Sequence, residues 1–80
     1  MLTSDQIRAA RALVRWSAEE LAKRAGVGIS TVQRMEKADG VPSSVGPNLQ
    51  AIQRAFEAAG VIFIAENGEG PGVRLRKRDG

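Results

Sequence analysis

Eighty residues carry twelve Lys and Arg against nine Asp and Glu, a formal net charge of +3, with neither cysteine nor histidine. That composition removes disulfides, thiolate chemistry, most zinc sites and the usual general base, so an enzyme is not the expected class. The length allows one small domain that buries about 60% of its unfolded surface, marginal unless chains associate, and the mild, interspersed basic charge suits a polyanionic partner.

No apolar run approaches the length needed to span a bilayer, and the chain is polar by its fifth residue. Neither a membrane anchor nor a signal peptide is therefore expected, and the predicted location is cytoplasmic.

The first element opens at Thr3, an N-cap with Gln6 as its capping-box partner and Leu2 placed to staple onto Ile7. A helix from Ser4 to about Arg15 follows, with Ile7, Ala10 and Val14 as its buried stripe and Leu13 on the flank. Arg11 interrupts that stripe, so its guanidinium must reach water or find an acid. Trp16, the only tryptophan, could stack on a base, but its place just before an N-cap assigns it to the core.

Ser17 then caps a second helix, with Glu20 completing a box and Trp16 and Leu21 forming a staple. This helix runs to about Ala25 and stops at Gly26, which can take the left-handed conformation. Val27 and Gly28 carry the chain round, and Ile29 to about Lys37 resumes helical spacing. Apolar or small residues at Leu21, Ala22, Ala25, Val27, Val32 and Met35 predict two short helices packed at a steep angle. Ala22 is small where two backbones must come close. Glu36, beside apolar Met35, mirrors Arg11, and we read the two as an ion pair that fixes the third helix against the first; the alternative is two separately solvated charges.

From Ala38 to Gly46 the turn signal Asp39-Gly40, Pro42, Ser43 and Ser44 predict a loop, a solvated connector rather than a phosphate contact. Gly46-Pro47 reads as N-cap and first helical residue, and Leu49, Ile52, Phe56 and Ala59 keep helical spacing up to Gly60. The period then changes. Val61 to Ile64 and the alternating Val73 to Lys77, separated by a Gly- and Pro-bearing stretch, predict a β-hairpin. Val73 and Leu75 are expected to face inward, with Arg74, Arg76 and Arg78 outward. The first strand is apolar on both faces, and an open edge invites pairing with a second chain. The expected dimer interface is Ile62, Phe63, Ile64 and Leu75, together with the fourth helix.

Counting from Ala22, a glycine falls four on, and apolar residues fall five, ten and thirteen on. This pattern resembles the helix-turn-helix of the phage repressor and Cro-like family, often called XRE, over roughly Leu2 to Gly60. The departure is Gly28, where that family usually carries a capping Ser or Thr; glycine caps at a cost of only about a few tenths of a kcal/mol. The resemblance implies a mostly α fold, a four-helix helix-turn-helix domain (1–60), to which the pattern after Gly60 adds a C-terminal β-hairpin with a basic tail (61–80), the expected dimerisation element. It also supports the Arg11–Glu36 pair, because family members often bridge these positions.

In such proteins the second motif helix enters the major groove while the first lies across the backbone. Carried over by position, Ile29, Ser30, Gln33 and Arg34 face the bases. Gln33 suits adenine, Arg34 suits guanine, and Ile29 a thymine methyl. Ser17, the Ala18 backbone N–H, Thr31, Lys23 and Lys37 are the expected phosphate contacts, a solvated charged face being the alternative for the lysines. The expected function is a dimeric transcriptional repressor reading an inverted repeat in double-stranded DNA. No cofactor, metal or small-molecule effector is indicated. The alternative is an antitoxin or other protein-interaction module whose basic hairpin wraps a partner, with DNA binding secondary.

Overall fold

The computed structural model describes residues 2–38 and 46–77. In chain order these form α1 (Ser4–Val14), α2 (Ala18–Ala25), α3 (Ile29–Lys37), α4 (Pro47–Ala58), β1 (Val61–Ile64) and β2 (Gly72–Leu75). The Asp39-Gly40 turn, Pro42, Ser43, Ser44 and Arg78 lie outside the described residues.

Local chemistry explains where each helix begins. At α1 the Gln6 N–H donates to Thr3 Oγ1 at 3.1 Å and the Thr3 N–H to Gln6 Oε1 at 2.9 Å, a complete capping box. At α2 the box expected from Ser17 and Glu20 forms only by half. Ser17 Oγ accepts the Glu20 N–H at 3.0 Å, but the Glu20 carboxylate turns away to Arg24 Nε at 2.8 Å. A cation one turn along is a stronger partner for a carboxylate than a neutral amide. Neither Gly28 nor Gly46, the N-caps of α3 and α4, offers a side-chain cap.

The helix ends correct two expectations. α1 stops one residue short of Arg15, which becomes its C-cap at φ 60°, an uncommon conformation for a residue with a Cβ. α4 stops at Ala58, so Ala59, expected on the buried stripe, is instead an exposed C-cap residue. Gly26 ends α2 at φ 71°, with its N–H bonded to Lys23 O and the Val27 N–H bonded back to Ala22 O at 3.0 Å.

All four helices and β1 contribute to one core. Ile7, Leu21, Val32, Met35, Ile52 and Phe56 are almost wholly removed from solvent. Phe56 lies between two other rings. Trp16 stacks on it at a centroid distance of 5.4 Å, and Phe63 meets it edge-on at 5.9 Å. Trp16 is therefore part of the core's margin, with the Arg24 guanidinium 4.7 Å from its ring centroid.

The antiparallel hairpin pairs Val61 with Leu75, Ile62 with Arg74, Phe63 with Val73 and Ile64 with Gly72. Because side chains alternate, Val61, Phe63, Val73 and Leu75 share one face, and Ile62, Ile64 and Arg74 the other. Val61 is buried, and Phe63 and Val73 pack on the core. Leu75, expected inward, overhangs that core's edge and is 44% exposed. Gln6 fastens this hairpin to α1: its Nε2 donates to Ile64 O at 3.1 Å and to Gly72 O at 3.0 Å.

Candidate nucleic-acid interface

A helix of nine residues has room for one buried stripe and one outward face, and α3 divides cleanly. Val32 and Met35 are buried against α1 and α2. At 3.6 residues per turn, Ser30, Gln33, Arg34 and Lys37 then fall on the opposite side, with Ile29 and Thr31 at its margins. Ser30, Gln33, Arg34 and Lys37 are exposed, Thr31 is partly so, and Ile29 is 38% exposed.

Those outward groups are chemically available. Gln33 makes no hydrogen bond among the described residues, and Arg34 has only a long 3.4 Å contact from Nη2 to Thr31 Oγ1. A free amide and a guanidinium with only one long contact, on neighbouring positions, are the side chains that match base edges bidentately.

The far end of α3 is held by three side chains of α1. Ser4 Oγ donates to Met35 O at 2.6 Å, and Arg8 Nη1 donates to Glu36 O. Arg11 forms a two-pronged pair with the Glu36 carboxylate, Nε to Oε2 at 2.6 Å and Nη2 to Oε1 at 2.9 Å. Its remaining Nη1 donates to Trp16 O at 3.1 Å, which ties the α1–α2 junction into the same network. Two of the C-terminal carbonyls a short helix leaves unsatisfied are thus bonded, one to a cation and one to a hydroxyl. Reading the sequence for apolar stripes missed Ser4 and Arg8. Their signal is the spacing Ser4, Arg8, Arg11, a polar ridge one turn apart on α1.

The residues expected at phosphates are spread along α2 and α3. Ser17 is exposed at the α2 N-cap and Ala18 half-buried beside it, while Lys23 and Lys37 are exposed. Glu19 and Glu20 sit in the same first turn of α2, and Glu20 is neutralised by Arg24 at 2.8 Å. The four residues expected at a dimer seam do not share a face: Ile62 and Ile64 lie on the outer side of the hairpin, whereas Phe63 and Leu75 lie on the core side.

Two short helices joined by a glycine turn, the second exposed on one side and clamped at its end, define a DNA-binding helix-turn-helix protein. A family model described as helix-turn-helix matches residues 7–57, and the chain belongs to that family, in its XRE-type branch of transcription regulators. The family is one of DNA-binding regulatory domains, not of enzymes. No curated protein matches the chain. Among the described residues no helix is long and apolar enough to cross a membrane.

Proposed function

We propose that the protein is a cytoplasmic dimeric repressor that reads an inverted repeat with the helix beginning at Ile29. The observation that carries this reading is the pairing of an unengaged Gln33 and a weakly engaged Arg34 on the outer face of α3 with a three-fold clamp at its end. A rigid scaffold offering unsatisfied polar groups loses little entropy when they bind. Gln33 takes adenine N6 and N7, Arg34 takes guanine O6 and N7, and Ile29 meets a thymine methyl. Ser30 lies between them within reach of a base edge. Ser17, Ala18, Lys23, Thr31 and Lys37 hold the backbone and set the register.

One such helix reads only a few base pairs, so a twofold dimer supplies the rest of the specificity. Residues 1–60 read DNA, and the outer face of the hairpin within residues 61–80 joins the two chains. Ile62 and Ile64 are the apolar groups on the hairpin's outer face, with the exposed side of α4 as the further surface a stable interface needs, roughly 800 Å² per partner.

Selection of bound duplexes from a random pool tests the proposal. The expected product is an inverted repeat with half-site centres about one helical turn apart. Gln33→Ala and Arg34→Ala are each expected to cost about 1–3 kcal/mol of discrimination at one position while sparing weak, salt-sensitive binding. Full selectivity in both variants would reject the assignment of α3.

A further inference from the structure

Among the described residues three large apolar side chains are exposed: Leu13, Ile29 and Leu75. Ile29 belongs to the reading face. Leu13 and Leu75, from opposite ends of the sequence, line the same open cleft of about 450 Å³, with Val14, Trp16 and Ala59 as its other apolar walls. The depression continues past Ala58 and Gly60 to Arg76 and Lys77. No residue of α3 lines it.

The rim carries one sign of charge. Arg15 and Arg24 line the first depression and Arg76 and Lys77 its continuation, and among the described residues no acidic one lines either. Arg24 is paired with Glu20, but Arg15, Arg76 and Lys77 make no ion pair among the described residues. Arg15 is held there by a left-handed backbone at φ 60°. Exposed leucines set inside a rim of largely unpaired cations argue against two occupants. A second copy docked through this face would set two such rims together with no acid to offset them. A DNA backbone would answer the cations but leave the leucines uncovered.

We propose that this cleft docks an acidic segment of another protein. One large apolar side chain inserts between Leu13, Ala59 and Leu75, and flanking carboxylates meet Arg15, Arg76 and Lys77. The surface is separate from the reading face, so the inference stands or falls independently of the proposed operator.

The test titrates the full chain with synthetic peptides that alternate Glu with Leu or Phe. Trp16, the only tryptophan in the chain, lines the cleft and reports occupancy by its fluorescence. A saturable change is expected, at least about tenfold weaker for peptides with Lys in place of Glu or Ser in place of the apolar residues. Leu75→Ser, Leu13→Ser and Arg76→Glu should each weaken binding similarly, with helical circular dichroism and duplex-DNA binding unchanged. Arg54→Glu, the same charge change on exposed α4, should leave peptide binding unchanged. Failure of every acidic peptide to bind, or equal binding by the Lys peptides, overturns the proposal. So does dissociation of a dimer by Leu75→Ser in sedimentation, which gives the cleft to a second copy. Loss of DNA binding in Arg76→Glu with peptide binding intact gives it to the duplex, and likewise overturns it.

Discussion

Glu36 shows how one side chain can decide whether α3 is presented at all. Its side chain is 11% exposed and that of Arg11 25%, so neither charge is well hydrated and each depends on the other. Arg11→Met should cost about 3 kcal/mol, because it leaves a nearly buried carboxylate with no cation. In a chain of this size that is a fall in melting midpoint on the order of 15 °C. Arg11→Met with Glu36→Leu should be markedly more stable than Arg11→Met alone, since no stranded charge remains. Urea unfolding of the single and double variants measures the difference; equal losses would mean that the carboxylate finds water. The need for a partner is legible in the sequence, because a cation on an otherwise apolar stripe must be accounted for. Ser4 and Arg8 are harder to see. Both read as ordinary polar residues in the sequence, although Ser4 is buried, and what makes them matter is the position of α3's last carbonyls, which only the folded chain supplies.

At the scale of elements, the starts and stops of helices are the most legible feature, because each is set by a few adjacent residues. Thr3, Ser17, Gly26, Gly28 and Gly46 all stand where caps are found. What adjacency could not show was competition: Arg24 draws Glu20 out of its box, and the end of the core leaves Leu75 and Ala59 outside. Gly28 sits at φ −73°, ψ 150°, and an added Cβ would meet only Ser30 Oγ and Thr31 Oγ1 at 3.9 Å. Gly28→Ser should therefore stabilise by about 0.5–1 kcal/mol, through a cap and a less flexible unfolded chain. A higher urea midpoint with an unchanged slope checks it. Gln6 joins α1 to both strands through one amide, accepting at Oε1 from Thr3 and donating at Nε2 to Ile64 and Gly72. Gln6→Glu keeps the acceptor for Thr3 but turns an oxygen onto two carbonyls. It should be more destabilising than Gln6→Ala, and hydrogen exchange should speed first in β1 and β2 while α2 and α3 stay protected.

For the whole molecule the central question is how two copies would share a duplex. The domain measures 36 × 30 × 19 Å, so two placed side by side put equivalent helices near the roughly 34 Å that separates successive major-groove faces. On the proposed reading, the hairpin's outer face holds them there. Ile62 on that face lies directly opposite Arg74. An acid at this position can pair across the strands, a contact worth about 0.2–1 kcal/mol, so the hairpin itself should survive the change. At a twofold seam the same acid faces its symmetry mate with no apolar group to replace what was lost. Ile62→Glu is therefore expected to fold normally, to sediment as a monomer where the unaltered chain is expected to sediment as a dimer, and to bind a single half-site with unchanged affinity. Its affinity for the inverted repeat should fall by at least about 100-fold, because the second half-site is no longer tethered to the first. If this variant stays dimeric, the seam lies elsewhere. If it turns monomeric and still binds the repeat as tightly, each copy reads its half-site unaided and the duplex, not the hairpin, sets the spacing.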